Sequence, residues 1–161
     1  MEGRQNIVNS LWVGGALSLL ERLTLHSFVA QGYTFKLWVY EEPRTLLPKG
    51  VELVDAATVI PAGEVFAKKE NDPKLQIGKG SFGAPFSDLF RYKLLYEHGG
   101  WWVDMDMTCI RPLPKPDDYF FRSHPLLPMV GNLMYVPAKS KLMERVYEEV
   151  AATCNADTAE W

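Results

Sequence analysis

Four residues near the middle of the chain have types and spacings that can do chemistry. Asp88 and Arg91 lie three apart within a segment of helical pattern, so they share one face of that helix. Asp104 and Asp106 lie two apart, directly after the short apolar run Trp101-Trp102-Val103. If strand geometry continues through them, both carboxylates point to the same side. Two carboxylates aimed into one site repel each other and are costly to desolvate unless a cation compensates. Hard oxygen ligands suit Mg2+ or Mn2+, which keep several waters and take further ligands from substrate phosphates. The implied chemistry is a divalent cation on Asp104 and Asp106 that clamps a diphosphate, with Asp88 and Arg91 touching whatever the phosphate carries. The bland alternatives are solvated turn acids for the first pair and a surface ion pair of little energetic weight for the second.

Positioning such a cluster requires a sheet and its helices. Ile7 to Val13 reads as a strand that breaks at Gly14-Gly15. Ser18 and Glu21 have capping-box spacing, and Leu19, Leu20, Leu23 and Ser27 or Phe28 continue an apolar stripe to Gly32, which stands where a helix-ending glycine belongs. Thr34 to Tyr40 is β-branched and aromatic, a second strand, so the first forty residues predict a strand–helix–strand unit with a parallel pair. Residues 41–83 are less readable, with short apolar pieces at Val51–Val54 and Val59-Ile60 between prolines and an exposed-looking loop at Lys68–Lys74. Pro85 opens a helix marked by Phe86, Leu89, Phe90, Leu94 and Leu95, ending at His98-Gly99-Gly100. A strand at Trp101–Val103, another at Leu133–Val136 and a last helix over Lys141–Ala152, with Leu142, Val146 and Val150 on one face, complete an α/β chain. Strand ends in open α/β sheets are where ligands bind, which is where Asp104 and Asp106 fall.

Composition bounds the function. The chain has 161 residues, the length of one domain, here 1–161. Apolar residues at 47% and charged residues at 23% exclude a disordered or collagen-like chain. A formal net charge of −3 argues against a general nucleic-acid binder. Cys109 and Cys154 are too few for a disulfide scaffold and are expected to be reduced. No leader and no transmembrane segment is visible, which predicts a soluble protein acting in the cytoplasm or peripherally to a membrane. His26, His98 and His124 share no metal-ligand spacing.

The central segment resembles the signature of DXD-containing glycosyltransferases of the family 32 type, and of related capsular-polysaccharide and toxin-type sugar transferases. In those families a helix with Asp and Arg three apart runs into Gly-Gly, an aromatic and then Asp-x-Asp. The matching residues are Asp88, Arg91, Gly99, Gly100, Trp102, Asp104 and Asp106. Leu11-Trp12-Val13-Gly14-Gly15 resembles the first-strand Trp motif of the same enzymes.

The resemblance implies a GT-A type, Rossmann-like, mostly parallel sheet flanked by helices in a single compact domain. It also implies sugar transfer from a nucleotide-sugar donor, UDP-sugar favoured, to a glycan or other hydroxyl acceptor, with retention and no strong catalytic base. It assigns Trp12 and Gly14 to the nucleotide side of the donor, with Trp12 stacking on the base. Asp88 and Arg91 would hold the donor sugar's hydroxyls, and Trp102 would line the same pocket. Asp104 would face the ribose and the metal's water shell, Asp106 would ligate Mn2+ or Mg2+ directly, and Asn132 would lie near the donor. The metal would stabilise the departing diphosphate as a Lewis acid. The resembled enzymes are usually longer. That predicts a compact or truncated version lacking the usual C-terminal extension, with acceptor contacts from another subunit and self-association into a homo-oligomer.

Three readings compete. Gly78-x-Gly80-x-x-Gly83 with Asp104 about 20 residues on mimics a dinucleotide fingerprint, although the residues before it are polar and include Pro73. Asp104-x-Asp106-x-Thr108 after an apolar strand resembles the nucleophile loop of haloacid-dehalogenase-type phosphohydrolases. Those place a further acidic pair well downstream, whereas Asp117-Asp118 follows closely here. The third reading is a catalytically inactive binding relative.

Overall fold

The computed structural model describes residues 6–66 and 84–153. Its elements are β1 (Ile7–Trp12), α1 (Leu19–Ala30), β2 (Thr34–Val39), β3 (Val51–Asp55), α2 (Ala84–His98), β4 (Gly100–Val103), β5 (Phe120–Arg122), β6 (Val130–Val136) and α3 (Lys141–Thr153). Two 3₁₀ turns, Ala56–Thr58 and Ala62–Glu64, follow β3. The six strands form one sheet in the order β3-β2-β1-β4-β6-β5. β1 pairs in parallel with β2 and β4, and β2 with β3, while β6 runs antiparallel to both β4 and β5. The result is the expected α/β architecture, a mostly parallel sheet flanked by helices.

Topology creates the functional edge. From central β1 the chain passes through α1 to β2 and outward to β3, then returns through α2 to β4 on the opposite side of β1. Strand order therefore reverses between β1 and β4, and the crevice at their carboxyl ends is the switch point where α/β sheets bind ligands. Trp12 ends β1 and Asp104 follows β4, so both stand at that edge.

Burial on both faces explains the continuous apolar strands. Val8, Phe35, Leu37, Trp101 and Val103 pack with Leu25 and Phe28 of α1 on one face. Leu11, Trp38, Trp102, Met134 and Val136 pack with Phe86, Phe90, Leu94 and Leu95 of α2 on the other. The adjacent Trp101 and Trp102, each 1% exposed, thus anchor opposite cores. Buried Asn9 ties the central strands together: its amide donates to the Trp101 carbonyl (3.0 Å) and its Oδ1 accepts from Trp38 Nε1 (3.0 Å).

Several local expectations need correction. The helix α1 is capped as its sequence specifies, with Ser18 and Glu21 forming the reciprocal capping box. Its buried face, however, is Thr24, Leu25 and Phe28, whereas Leu19, Leu20 and Leu23 are exposed. The side facing the sheet is fixed in part by a polar contact, since the Thr24 hydroxyl donates to the Met105 carbonyl at 2.7 Å. In α3, Met143 and not Leu142 enters the core. β3 and β5 have weak strand signals in the sequence: β3 is a half-exposed edge strand without clean alternation, and β5 is three residues long amid prolines. The loop at Lys68–Lys74, the Gly78–Gly83 fingerprint and Cys154 lie outside the described residues. Cys109 is a buried free thiol, and burial pushes its pKa up. Among the described residues no helix is long and apolar enough to cross a membrane.

Candidate active site

The site is built outward from one buried cation. Arg91 of α2 is 5% exposed, although long charged side chains are rarely buried unless paired. Its Nη2 donates to Asp88 Oδ1 in a close ion pair across one helical turn. Its Nη1 donates to Asp104 Oδ1 at 3.1 Å and to the Gly131 carbonyl of β6 at 2.9 Å. The guanidinium also lies over the rings of Tyr92 and Trp102, 5.3 and 5.7 Å from their centroids. A Cβ on Gly131 would stand 2.8 Å from the Arg91 guanidinium carbon, so any larger residue here would push the guanidinium from its place against β6. The pair of Asp88 and Arg91 is therefore a buried structural knot and not a solvated surface pair.

Asp104 is fixed from three directions. Trp102 Nε1 donates to its Oδ1 at 2.7 Å, Arg91 reaches the same oxygen, and its backbone N–H donates to the Asn132 carbonyl at 2.9 Å. The preceding Gly99-Gly100 sets this spacing. Both glycines have positive φ, +64° and +98°, and a Cβ on Gly99 would come within 2.3 Å of the Ala138 backbone nitrogen. Only glycine can end α2 and enter β4 within two residues here, which holds Arg91 and Asp104 at hydrogen-bond distance.

The extended-strand expectation for Asp104 and Asp106 does not hold. β4 ends at Val103, and Met105-Asp106 form a turn closed by the Met107 N–H donating to the Asp104 carbonyl at 3.3 Å. Asp106 is exposed at the corner of this turn, yet its charge still reaches Asp104. Burial pushes the Asp104 carboxyl above the usual carboxylate range; Arg91 and the Trp102 hydrogen bond oppose the rise, and Asp106 adds to it. Burial likewise raises Asp88, against the pull of Arg91 and with a further push from Asp104. Two carboxylates thus share one guanidinium and a third, Asp106, acts on Asp104, a shortfall of positive charge that a divalent cation would remove.

The donor set fits such a cation in one way. Among the described residues no group of three or more His, Cys, Asp or Glu could hold a metal alone. Asp104 and Asp106 supply at most two carboxylates, so the remaining ligands would be waters and phosphate oxygens, as Mg2+ and Mn2+ prefer.

The other expected residues distribute as follows. Trp12 is half-buried at the end of β1, its Nε1 donating to the Gly15 carbonyl at 3.3 Å. Gly14 adopts φ +146° as the chain curls around the Trp12 indole. Trp102 does not present an open pocket wall, since it is 1% exposed; it holds Asp104 from behind. Asn132 lies on β6 beside Asp104, with its Oδ1 buried and unpartnered among the described residues. Sequence reasoning missed Gly131 and Thr24. A glycine within the apolar strand Val130–Val136 was the available signal for close approach; Thr24 carried none.

Residues 66–124, the segment holding Asp88, Arg91, Trp102, Asp104 and Asp106, match the family described as glycosyltransferase sugar-binding region containing DXD motif. No curated protein matches the chain. Among solved structures, the fold is similar to that of the PaToxG glycosyltransferase, with a TM-score of 0.61 at 12% sequence identity. That similarity covers 91% of this chain and 60% of the PaToxG chain, so this chain matches less than two-thirds of that structure's length.

Proposed function

We propose that the chain transfers a sugar from a nucleotide-sugar donor to a glycan or other hydroxyl acceptor, dependent on a divalent metal, with retention, in the manner of the family 32 and capsular-polysaccharide transferases. The observation that carries this reading is the Asp88–Arg91–Asp104 knot at the β1/β4 switch point, within the segment that matches the DXD sugar-binding region. Asp106, with Asp104 behind it, would hold Mn2+ or Mg2+, and the metal would neutralise charge on the diphosphate as it departs.

The chain's own residues have distinct tasks. Trp12 offers an aromatic face at the end of β1 for the nucleobase. The exposed third of the Asp88 side chain is available to donor hydroxyls. Arg91, already committed to two carboxylates and a carbonyl, acts by orienting Asp88 and Asp104. Asn132 offers a buried amide oxygen that a donor hydroxyl can satisfy. The phosphohydrolase reading is disfavoured because Asp117-Asp118 follows Asp104 closely instead of standing well downstream.

Calorimetry against UDP- and GDP-sugars with and without Mn2+ tests the proposal. Metal-dependent binding of one donor class is expected, with slow donor hydrolysis in the absence of acceptor. Absence of nucleotide-sugar binding, or cleavage of p-nitrophenyl phosphate, would overturn it.

A further inference from the structure

A donor diphosphate brings more negative charge to an edge already crowded with carboxylates, and Arg91, 5% exposed, has both terminal nitrogens committed and only its buried Nε without a partner among the described residues. Among the described residues a further guanidinium, half-buried, stands at this edge. β5 and β4 each run antiparallel to β6, so they are parallel to one another, and the carboxyl end of β5 shares the edge with Asp104 and Trp12. The residue at that end is Arg122.

Its aim is set by the backbone. The β5–β6 register breaks between Phe121, opposite Met134, and Arg122, opposite Val130. Such irregularities re-aim a side chain and are frequent beside active sites. The half-buried Arg122 then places its Nη1 4.0 Å from Sδ of Met107, the residue after Asp106 and the one that closes the acid turn. A thioether is a weak acceptor for a charged planar donor. Among the described residues Arg122 enters no ion pair, although Asp106 belongs to the same turn. A guanidinium fork held beside an acid turn without a carboxylate partner is suited to a phosphate oxyanion.

We propose that Arg122 is a phosphate-binding residue of this site, meeting the donor diphosphate from the β5 side. The inference rests on the glycosyl-transfer reading above. In that reaction the bond from the sugar's anomeric carbon to the diphosphate oxygen breaks with its electron pair on the oxygen. The acceptor hydroxyl oxygen bonds to the anomeric carbon, and its proton passes to the departing diphosphate. Arg122 stabilises the nucleoside diphosphate so formed.

The test is calorimetric titration of wild type, Arg122→Ala and Arg122→Lys with UDP and GDP in the presence of Mn2+, and with uridine and guanosine. For the diphosphate that wild type binds, Arg122→Ala is expected to weaken binding at least about tenfold, which is about 1.4 kcal/mol. The matching nucleoside should bind unchanged. Arg122→Lys, which keeps the charge but not the fork, should lose less. Equal affinity of wild type and Arg122→Ala for the diphosphate overturns the role of Arg122 alone. Parallel loss of the nucleoside, or an Arg122→Lys variant as weak as Arg122→Ala, also overturns it. Failure of wild type to bind either diphosphate overturns the underlying function, and is distinguishable because it precedes any variant.

Discussion

The two carboxylates of the acid turn are two residues apart and live in different worlds. Asp104 is backed by Trp102, tied to buried Arg91 and anchored through its N–H to β6. Asp106 stands exposed at the corner, with no hydrogen bond to its carboxylate among the described residues. The same division runs through the site. The α2–β4–β6 side is assembled before any ligand arrives, whereas Asp106, Trp12 and Arg122 offer groups whose best partners would come with one. A preorganised wall beside adaptable groups lets a site hold geometry without sacrificing access. On this view, mutations on the locked side should cost folding stability, and mutations on the open side should cost ligand binding.

The largest stability effect is expected from Arg91→Ala. It leaves Asp88 and Asp104 facing each other without their cation and opens space under Trp102. Breaking such a pair should cost about 3 kcal/mol, the low end of the range because both acids keep some solvent contact. Denaturant unfolding measures it, and a loss below about 1 kcal/mol would mean the knot is not structural. Gly99→Ala should cost a similar or slightly smaller amount, about 2–3 kcal/mol, from positive φ and the clash with Ala138. A melting temperature equal to wild type would show that the α2–β4 junction can relax.

Trp102→Phe keeps most of the core but removes the indole donor to Asp104, a charge-assisted bond worth about 1.5–3 kcal/mol. Partial replacement by water should bring the observed loss to the bottom of that range. Asp106→Asn should change stability by less than about 0.5 kcal/mol, as an exposed turn residue should, while reducing Mn2+-dependent donor turnover at least about 100-fold. Normal turnover in that variant would dissolve the contrast between the two acids.

The pH dependence should follow the same line. Asp88 and Asp104 hold their protons more tightly when folded, because burial raises both. Their contribution to stability is therefore greatest in acid and declines as pH rises from the usual carboxylate range through their raised values. Asp88→Asn should flatten that decline in a pH series of unfolding midpoints, and an unchanged slope would show that burial of Asp88 is not felt. This is the smallest of the expected effects.

Much of this was legible from the chain. The period-2 and helical patterns located β1, α1, β2, α2 and β4 to within a residue or two, because each is bounded by Gly, Pro or a capping box that acts locally. Asp88, Arg91 and Asp104 were chosen for residue type and spacing, and the structure brings them together. What misled was geometry beyond the next few residues. Leu19, Leu20 and Leu23 look like a buried stripe, yet helix docking placed Thr24, Leu25 and Phe28 inward. The family resemblance places Trp102 in the donor pocket, yet its strand position puts it under α2.

Sequence alone determined the α/β class, the glycine pair that must end α2, and an acid cluster lacking enough positive charge. Those follow from steric limits, local hydrogen bonding and Coulomb's law acting over a few neighbouring residues. Only the tertiary structure decided that Asp104 is locked and Asp106 free, and that Gly131 and Arg122 belong to the same edge. These depend on strand order and register, which bring residues 40 or more positions apart into contact, as in the Arg91 bond to Gly131. No local rule encodes such an encounter.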